Sequence, residues 1–203
     1  VLADVRARVG VGEVYYAGNH GMEIAGPDLA HVLPEAAEAR PQLEDCVEGL
    51  RAALAAVPGV ILEDKGLTLS VHYRLVTDPE VAADVRVRVA ELCGAFQGLR
   101  ITEGKEVVEV RPDVAWDKGR ATRFLLDSLL GPAAAGVPVL FIGDDRTDED
   151  AFRAVRDGGA GILVAPRPPL TTAATAHVRD PGEVVALLRD LARSDPATEG
   201  GDA

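Results

Sequence analysis

The chain has 203 residues, 33 acidic against 21 basic side chains for a net charge of −12, and is 47% hydrophobic and 4% aromatic. At this length folding buries roughly 70% of the unfolded chain's surface, so one large domain or two small ones can form a core without disulfides or structural metal, and disorder throughout is not expected. The acidic excess repels phosphate backbones and anionic lipid, which argues against nucleic acid or a membrane surface as partner, and an anionic substrate would need a local reversal of charge. The chain opens on Val1 and enters a helical pattern at once, Leu2, Val5 and Val9, as if cut from something longer. Residues 14–17 form a short apolar run closed by Gly18, the pattern of a buried strand feeding a loop. Leu43, Val47, Leu50, Leu54 and Val57 recur at helical spacing and stop at Pro58-Gly59. Residues 60–62 and 67–73 predict two strands around the turn Asp64-Lys65-Gly66. A second helix carries Val81, Val85, Val89, Leu92 and Phe96, and residues 100–110 give two more extended pieces around Glu103 and Gly104. The middle of the chain is thus an α+β unit of its own.

From Lys118 the pattern alternates. A helix carries Phe124, Leu125 and Leu129, a strand covers 139–142 and ends at Gly143, and a helix starts at Asp148. A strand over 161–165 and a helix over 184–191 follow, which together predict a parallel sheet with helices on both faces. Residues 194–203 read as a loose polar tail. The apolar run 137–142 is far short of the roughly 20 residues needed to span a bilayer. The N-terminus lacks the order of a signal peptide, so a cytoplasmic location is expected. Cys46 and Cys93 sit in helical patterns without partners at metal-ligand spacing, and read as small buried apolar residues of a reducing compartment, with no disulfide framework implied.

The strongest chemical signal is Asp144-Asp145-Arg146-Thr147-Asp148-Glu149-Asp150, set directly after a strand and before a helix. Two carboxylates 4 Å apart repel by about 4 kcal/mol at an effective dielectric of 20, and a divalent cation is the simplest way to hold several together. Oxygen-only ligands with no nearby Cys or His favour Mg²⁺. The competing reading is that Thr147 or Asp148 caps the next helix and the other acids are solvated. An EF-hand fails on spacing, residues 98–105 fail as a P-loop, and Ser70 with His72 shows nothing of a nucleophile elbow.

Only three of the 21 basic residues are lysines, Lys65, Lys105 and Lys118, and each lies beside a glycine. Where arginine supplies the generic charge, a remaining lysine suits a place that needs a compact ammonium, against phosphate or a sugar hydroxyl, although chance at exposed turns also explains three. Lys118 opens a helix from which it can reach the sheet edge that carries Asp144. The Gly18-Asn19-His20-Gly21 loop can bring backbone N–H groups to a ligand, or His20 can be a structural hydrogen-bonding residue. Glu63, Lys65, His72 and Arg74 gather on the mid-chain strand pair, with His72 and Arg74 on one face by the two-residue period, and Glu109 shares a face with Arg111. These alternating charges suit a solvated face or a polyol-binding one.

Residues 15–24 with their Gly-Asn-His-Gly, Glu63-Asp64-Lys65-Gly66 with His72-Tyr73-Arg74, Glu109-Val110-Arg111-Pro112 with Asp117-Lys118-Gly119, and residues 143–150, taken in that order, resemble trehalose-phosphate phosphatases of the haloacid dehalogenase superfamily. The resemblance implies a Rossmann-like α/β core, residues 1–26 and 112–195, interrupted by an inserted α/β cap, residues 27–111, with a flexible tail at 196–203. It implies that Asp144, Asp145 and Asp148 hold Mg²⁺ and that Lys118 is catalytic, steadying phosphate and nucleophile against their repulsion. Asn19, His20, Glu63, Lys65, His72, Arg74, Lys105 and Glu109 would bind the sugar, the cap closing over it and excluding water. The implied reaction is hydrolysis of trehalose 6-phosphate through an aspartyl-phosphate, with a functional link to trehalose-phosphate synthase.

The departure from that pattern is the Asp-x-Asp-Gly-Thr motif of the first core strand, with its nucleophile and general acid, and the Ser/Thr phosphate motif that follows it. Neither is in this sequence. The expectation is an N-terminally truncated piece lacking the first core strands, poorly soluble or molten and inactive alone. Two other readings stay open: a non-catalytic sugar-phosphate-binding or regulatory module, and a phosphatase for another sugar phosphate.

Overall fold

The computed structural model describes residues 1–193, so the tail expected at 194–203 lies outside the described residues. The chain divides into two compact units, Val1–Trp116 and Asp117–Ala203.

In the N-terminal unit, helix α1 (Leu2–Val9) ends on Gly10 in the left-handed conformation. Strand β1 (Tyr16–Gly18), a 3-10 turn (Asn19–Gly21), β2 (Glu23–Ala25) and β3 (Ala30–Val32) then make a three-stranded antiparallel sheet in the order β1-β2-β3. β1 starts two residues later than the apolar run suggested, because Val14 is exposed and pairs with nothing in the ladder. β2 and β3 were not expected from the sequence, since three residues are too few to show a period of two. Met22 and Leu33 pack there with Ala36 of α2 (Pro34–Glu38) and with Leu67.

The α+β unit forms as expected. Helix α3 (Arg40–Leu54), strands β4 (Ile61–Asp64) and β5 (Leu69–His72), helix α4 (Pro79–Cys93) and strands β6 (Leu99–Gly104) and β7 (Val107–Pro112) follow in order. α4 begins where it does because the Asp78 side chain accepts from the Glu80 amide at 2.8 Å and Pro79 fills a first-turn position needing no N–H donor. The strands form an antiparallel sheet ordered β4-β5-β7-β6. Leu43, Val47, Leu50 and Leu54 of α3 and Val85 and Val89 of α4 bury against Leu69, Val71, Val108 and Val110. The alternation that sends those residues to the helices sends Glu63, Ser70 and Glu109 to the other face, and the register sets them in one row, Glu63 opposite Ser70 and Ser70 opposite Glu109. Strand β5 stops at His72, so Arg74 is in the following turn and not on a shared strand face with His72 as the two-residue period suggested.

In the C-terminal unit, helix α5 (Lys118–Leu130) starts where the Asp117 carboxylate accepts from the Arg120 amide at 2.8 Å. A 3-10 stretch (Gly131–Gly136) leads to β8 (Leu140–Gly143), α6 (Asp148–Val155), β9 (Ala160–Val164), β10 (Ala176–Val178) and α7 (Pro181–Arg193). β8, β9 and β10 are parallel in the order β10-β9-β8, the βαβ arrangement the alternation predicted. Phe152 of α6 is fully buried and meets Phe141 of β8 edge to face at 5.8 Å. Gly119 serves close approach of helices: a Cβ there would meet the Asp150 carbonyl oxygen at 2.4 Å, so α5 could not lie as near to α6 with any larger residue.

Candidate functional site

Functional side chains collect in two places, one in each unit. In the C-terminal unit, strand β8 ends at Gly143 and the chain turns through residues 144–147 into α6. Asp148, only 4% exposed, folds back under this turn, its Oδ2 accepting from the Asp144 and Asp145 amides at 2.9 and 3.0 Å. Gly143 makes room for it, since a Cβ would meet the Asp148 carboxylate carbon at 2.3 Å. Asp148 Oδ1 takes the Lys118 ammonium at 2.7 Å, and the same ammonium lies 3.3 Å from Asp145 Oδ2. Asp145 Oδ1 also accepts from the Thr147 amide and hydroxyl, both at 2.6 Å.

One oxygen each of Asp144, Asp145 and Asp148 lie within 4.8 Å of one another. Lys118 balances one of three negative charges. The Asp144 side chain has neither hydrogen bond nor ion pair among the described residues and is exposed. A turn with oxygen-only donors, a residual charge of two and one uncommitted carboxylate fits a hard divalent cation. Neither Thr147 nor Asp148 caps α6 as the alternative reading had it: the Thr147 side chain makes no cap bond, and the Asp145 carboxylate takes the first amide of the helix, that of Asp148, at 3.2 Å. Burial alone would lower the Lys118 ammonium, but the hydrogen bond and charge of Asp148, with Asp145, outweigh it and hold it above its ordinary value. Burial likewise favours the neutral form of Asp145, yet the Thr147 hydrogen bonds and the Lys118 charge prevail and lower it. Beside the turn a cleft of about 940 Å³ is lined by Asp144, Asp145, Arg146 and the loop at 169–173, which Glu149 holds through the Thr172 hydroxyl and the Ala173 amide, both at 2.6 Å.

In the N-terminal unit, a cavity of about 340 Å³ is lined by Asn19, His20, Glu63, Lys65 and Glu109, with Asp4 and Arg8 of α1. The Lys65 ammonium donates to Ser70 Oγ at 2.7 Å and lies 3.9 Å from Glu63 and 3.8 Å from Glu109. Glu109 also meets His20 Nε2 at 2.9 Å, and Glu63 meets His72 Nε2 at 3.1 Å. Donors and acceptors so alternate around a small polar cavity, a chemistry suited to hydroxyl groups.

Asn19 does something the sequence did not show. Its Nδ2 donates to Glu23 at 2.9 Å and to the Lys65 carbonyl at 3.0 Å, while its Oδ1 accepts from the buried Thr68 hydroxyl at 3.1 Å. These bonds pin the turn that carries Lys65 to the loop that carries His20. Asn19 and His20 both hold left-handed backbone, with φ of 46° and 57°, which Asn tolerates better than most residues. Asn19→Ala is expected to lower stability by about 2–3 kcal/mol, because the buried Thr68 hydroxyl and the Lys65 carbonyl lose their partner. Asn19→Gly, which relaxes the backbone but restores no bond, should lose nearly as much. Urea unfolding of the two variants checks this, and a small loss in both would remove the role.

Arg74 and Lys105 stand apart from this network, exposed in the turns after β5 and between β6 and β7. The Tyr73 amide donates to the Glu106 carbonyl at 3.1 Å, so the two turns lie side by side at the end of the sheet that carries His72. The sequence reading passed over Thr68 and weighed Ser70 only as a nucleophile, whereas both are buried polar residues of the polar face. Their alternation with Leu67, Leu69 and Val71 was the available signal.

Burial raises Glu109, but the hydrogen bond and charge of His20, followed by Lys65 and Arg111, outweigh it and leave its carboxyl below the ordinary range. A group depressed in the folded state contributes stability above its unfolded value and loses it as pH falls through the folded one. Wild-type stability should therefore fall more steeply with pH below about 4.5 than that of Glu109→Gln. Thermal unfolding of the two chains across pH 3 to 6 reads the difference, and parallel curves would contradict it.

An oxygen-rich turn at the end of a parallel strand, paired with a lysine on an adjoining helix and accompanied by a separate α+β unit, defines a capped α/β fold of the haloacid dehalogenase type. The family model for trehalose-phosphatase matches residues 2–181, and the chain belongs to that family. A trehalose-phosphate phosphatase of Mycobacterium marinum is 44% identical over 167 residues, covering 80% of this chain and 42% of that protein. A probable trehalose-phosphate phosphatase of Oryza sativa subsp. japonica is 42% identical over 215 residues, covering 90% of this chain and 55% of its own length. The crystal structure of the Aspergillus fumigatus trehalose-6-phosphate phosphatase aligns with a TM-score of 0.61 at 27% identity, over 96% of this chain and 75% of that one. The chain spans about half the length of the curated relatives it matches. No helix among the described residues is long and apolar enough to cross a membrane.

Proposed function

We propose that this chain is the metal-binding and sugar-recognising body of a phosphatase that hydrolyses trehalose 6-phosphate to trehalose and phosphate. The observation that carries the reading is Lys118 paired with Asp145 and Asp148 beside an uncommitted Asp144, in a chain of the trehalose-phosphatase family. Asp144, Asp145 and Asp148 would hold Mg²⁺, which when bound supplies positive charge to phosphate oxygens. Lys118, already charged and held by Asp148, offers its ammonium to the phosphate and keeps the turn from repelling it. Lys65, Glu63, His72, Glu109 and His20 address the sugar hydroxyls, Arg74 and Lys105 supply an exposed cationic rim, and Asn19 positions rather than binds.

The nucleophilic aspartate and its acid partner belong to sequence outside these 203 residues, which contain no Asp-x-Asp-Gly-Thr. In the whole protein, residues 1–26 and 112–195 would form the core and 27–111 the cap. The reading also places the reaction in the cytoplasm, with trehalose-phosphate synthase supplying the substrate.

The test is Mg²⁺-dependent phosphate release from trehalose 6-phosphate by the 203-residue chain and by a version extended upstream to the length of its relatives. Release by the extended version alone is expected. Release by the short chain would overturn the assignment of the nucleophile, and silence in both would favour a non-catalytic sugar-phosphate-binding module.

A further inference from the structure

Cys46 of α3 and Cys93, the last residue of α4, are 47 positions apart in sequence, and both thiols are free. The structure brings their sulfurs to 3.1 Å, inside the contact distance of two unbonded sulfur atoms, with 0% and 3% exposure. Both are buried, as the sequence led us to expect, and the structure adds that they lie against each other. Both belong to the apolar sheet–helix core, with the leucines and valines of α3, α4 and the sheet. Two helices packed side by side on one sheet therefore meet through a dithiol.

We infer that Cys46 and Cys93 form a reversible disulfide that ties α3 to α4, with a hydroperoxide as oxidant. The sulfurs need to close by only about 1 Å to reach bonding distance. Cys93 ends α4, where helix turns open most easily, and hydrogen peroxide is nearly as small as water, so a brief opening at Gly94 suffices for entry. Either thiol can donate its S–H to the other sulfur across this contact, and Cys46, once it has given up its proton, is the attacking group. Its thiolate attacks one peroxide oxygen, the O–O bond breaks, and Cys46 becomes a sulfenic acid while the departing hydroxide takes a proton and leaves as water. The Cys93 sulfur then attacks the Cys46 sulfur, the S–O bond breaks and a second water leaves. Two thiols are oxidised by two electrons and one peroxide is reduced to two waters.

The bond would lock the helical layer on the sheet face opposite Glu63, Ser70 and Glu109. It closes a loop of nearly 50 residues, which restricts the unfolded chain far more than the folded one. The test treats the folded, upstream-extended protein with a slight excess of hydrogen peroxide, followed by denaturation, counting of the Cys46 and Cys93 thiols and peptide mass mapping. Both thiols should disappear together, with a mass loss of two hydrogens, a cross-linked α3–α4 peptide, and no dependence on protein concentration. Dithiothreitol should restore both, and the oxidised chain should melt about 5 °C or more above the reduced one. In Cys93→Ala, dimedone should trap a sulfenic acid on Cys46. The inference is overturned if the folded chain keeps both thiols, if the sulfurs gain oxygen separately, or if the cross-link joins two chains. None of these readouts depends on catalysis or on the proposed substrate.

Discussion

Replacing Asp148 by Ala is expected to cost about 3–5 kcal/mol of stability. The reason is that one carboxylate performs two jobs in a place almost closed to water. Its Oδ2 satisfies the Asp144 and Asp145 amides, and its Oδ1 satisfies the half-buried Lys118 ammonium. Removal leaves two amides without that partner and a cation facing only the longer contact to Asp145. Asp144→Ala is the informative comparison, because that side chain holds nothing among the described residues. It should leave stability unchanged or slightly raised, through relief of like-charge repulsion, and yet weaken Mg²⁺ binding as severely as Asp148→Ala. Urea unfolding of both variants, with calorimetric titration of Mg²⁺, separates the roles. If Asp148→Ala is as stable as Asp144→Ala, the buried carboxylate is not the keystone of the turn. If Asp144→Ala binds Mg²⁺ as the wild type does, the cluster is not the metal site.

The same residues show how far the sequence could be read. Five acids in seven positions after an apolar run are a local signal, and in the structure Asp144, Asp145 and Asp148 lie together with the Lys118 ammonium on Asp145 and Asp148. What spacing could not show is the division of labour. That Asp148 turns back to bond the amides of its own loop depends on Gly143 having no Cβ, a three-dimensional condition invisible to a count of charges. The helices α3 and α4 and the hairpin β6–β7 were legible because each repeats its period several times. The strands β2, β3 and β10 were not, at three residues each, and β10 is defined by its parallel pairing to β9 across a long connection rather than by any local pattern. Contacts across long separations were the consistent blind spot: Asn19 to Thr68 and Cys46 to Cys93 each join residues nearly 50 apart. Residues read as binding candidates from a loop motif thus divide into His20, which lines the cavity with its side chain, and Asn19, whose side chain is consumed in holding the loop.

Lys65→Met is expected to raise the KM for trehalose 6-phosphate about 10–100-fold in the upstream-extended protein while leaving turnover of a small generic phosphate ester nearly unchanged. A hydrogen bond from a charged donor contributes about 1.5–3 kcal/mol, and each 1.4 kcal/mol is a factor of ten. Methionine keeps the apolar stem of Lys65 and removes only the ammonium, so Glu63 and Glu109 lose the cation they share while the backbone pinned by Asn19 stays in place. Ser70→Ala tests the same geometry from the other side, since the ammonium loses the hydroxyl that fixes it at 2.7 Å and should wander between the two carboxylates. Its KM should rise less than that of Lys65→Met, and Lys65→Arg should not rescue, because a planar guanidinium cannot reproduce a compact ammonium among Ser70, Glu63 and Glu109. A fall in turnover for the small ester together with the sugar phosphate would place Lys65 in the chemical step and not in sugar recognition. An unchanged KM for trehalose 6-phosphate would leave Glu63 and Glu109 as a salt-bridged surface, and the polyol-binding reading of this sheet face would fall with it.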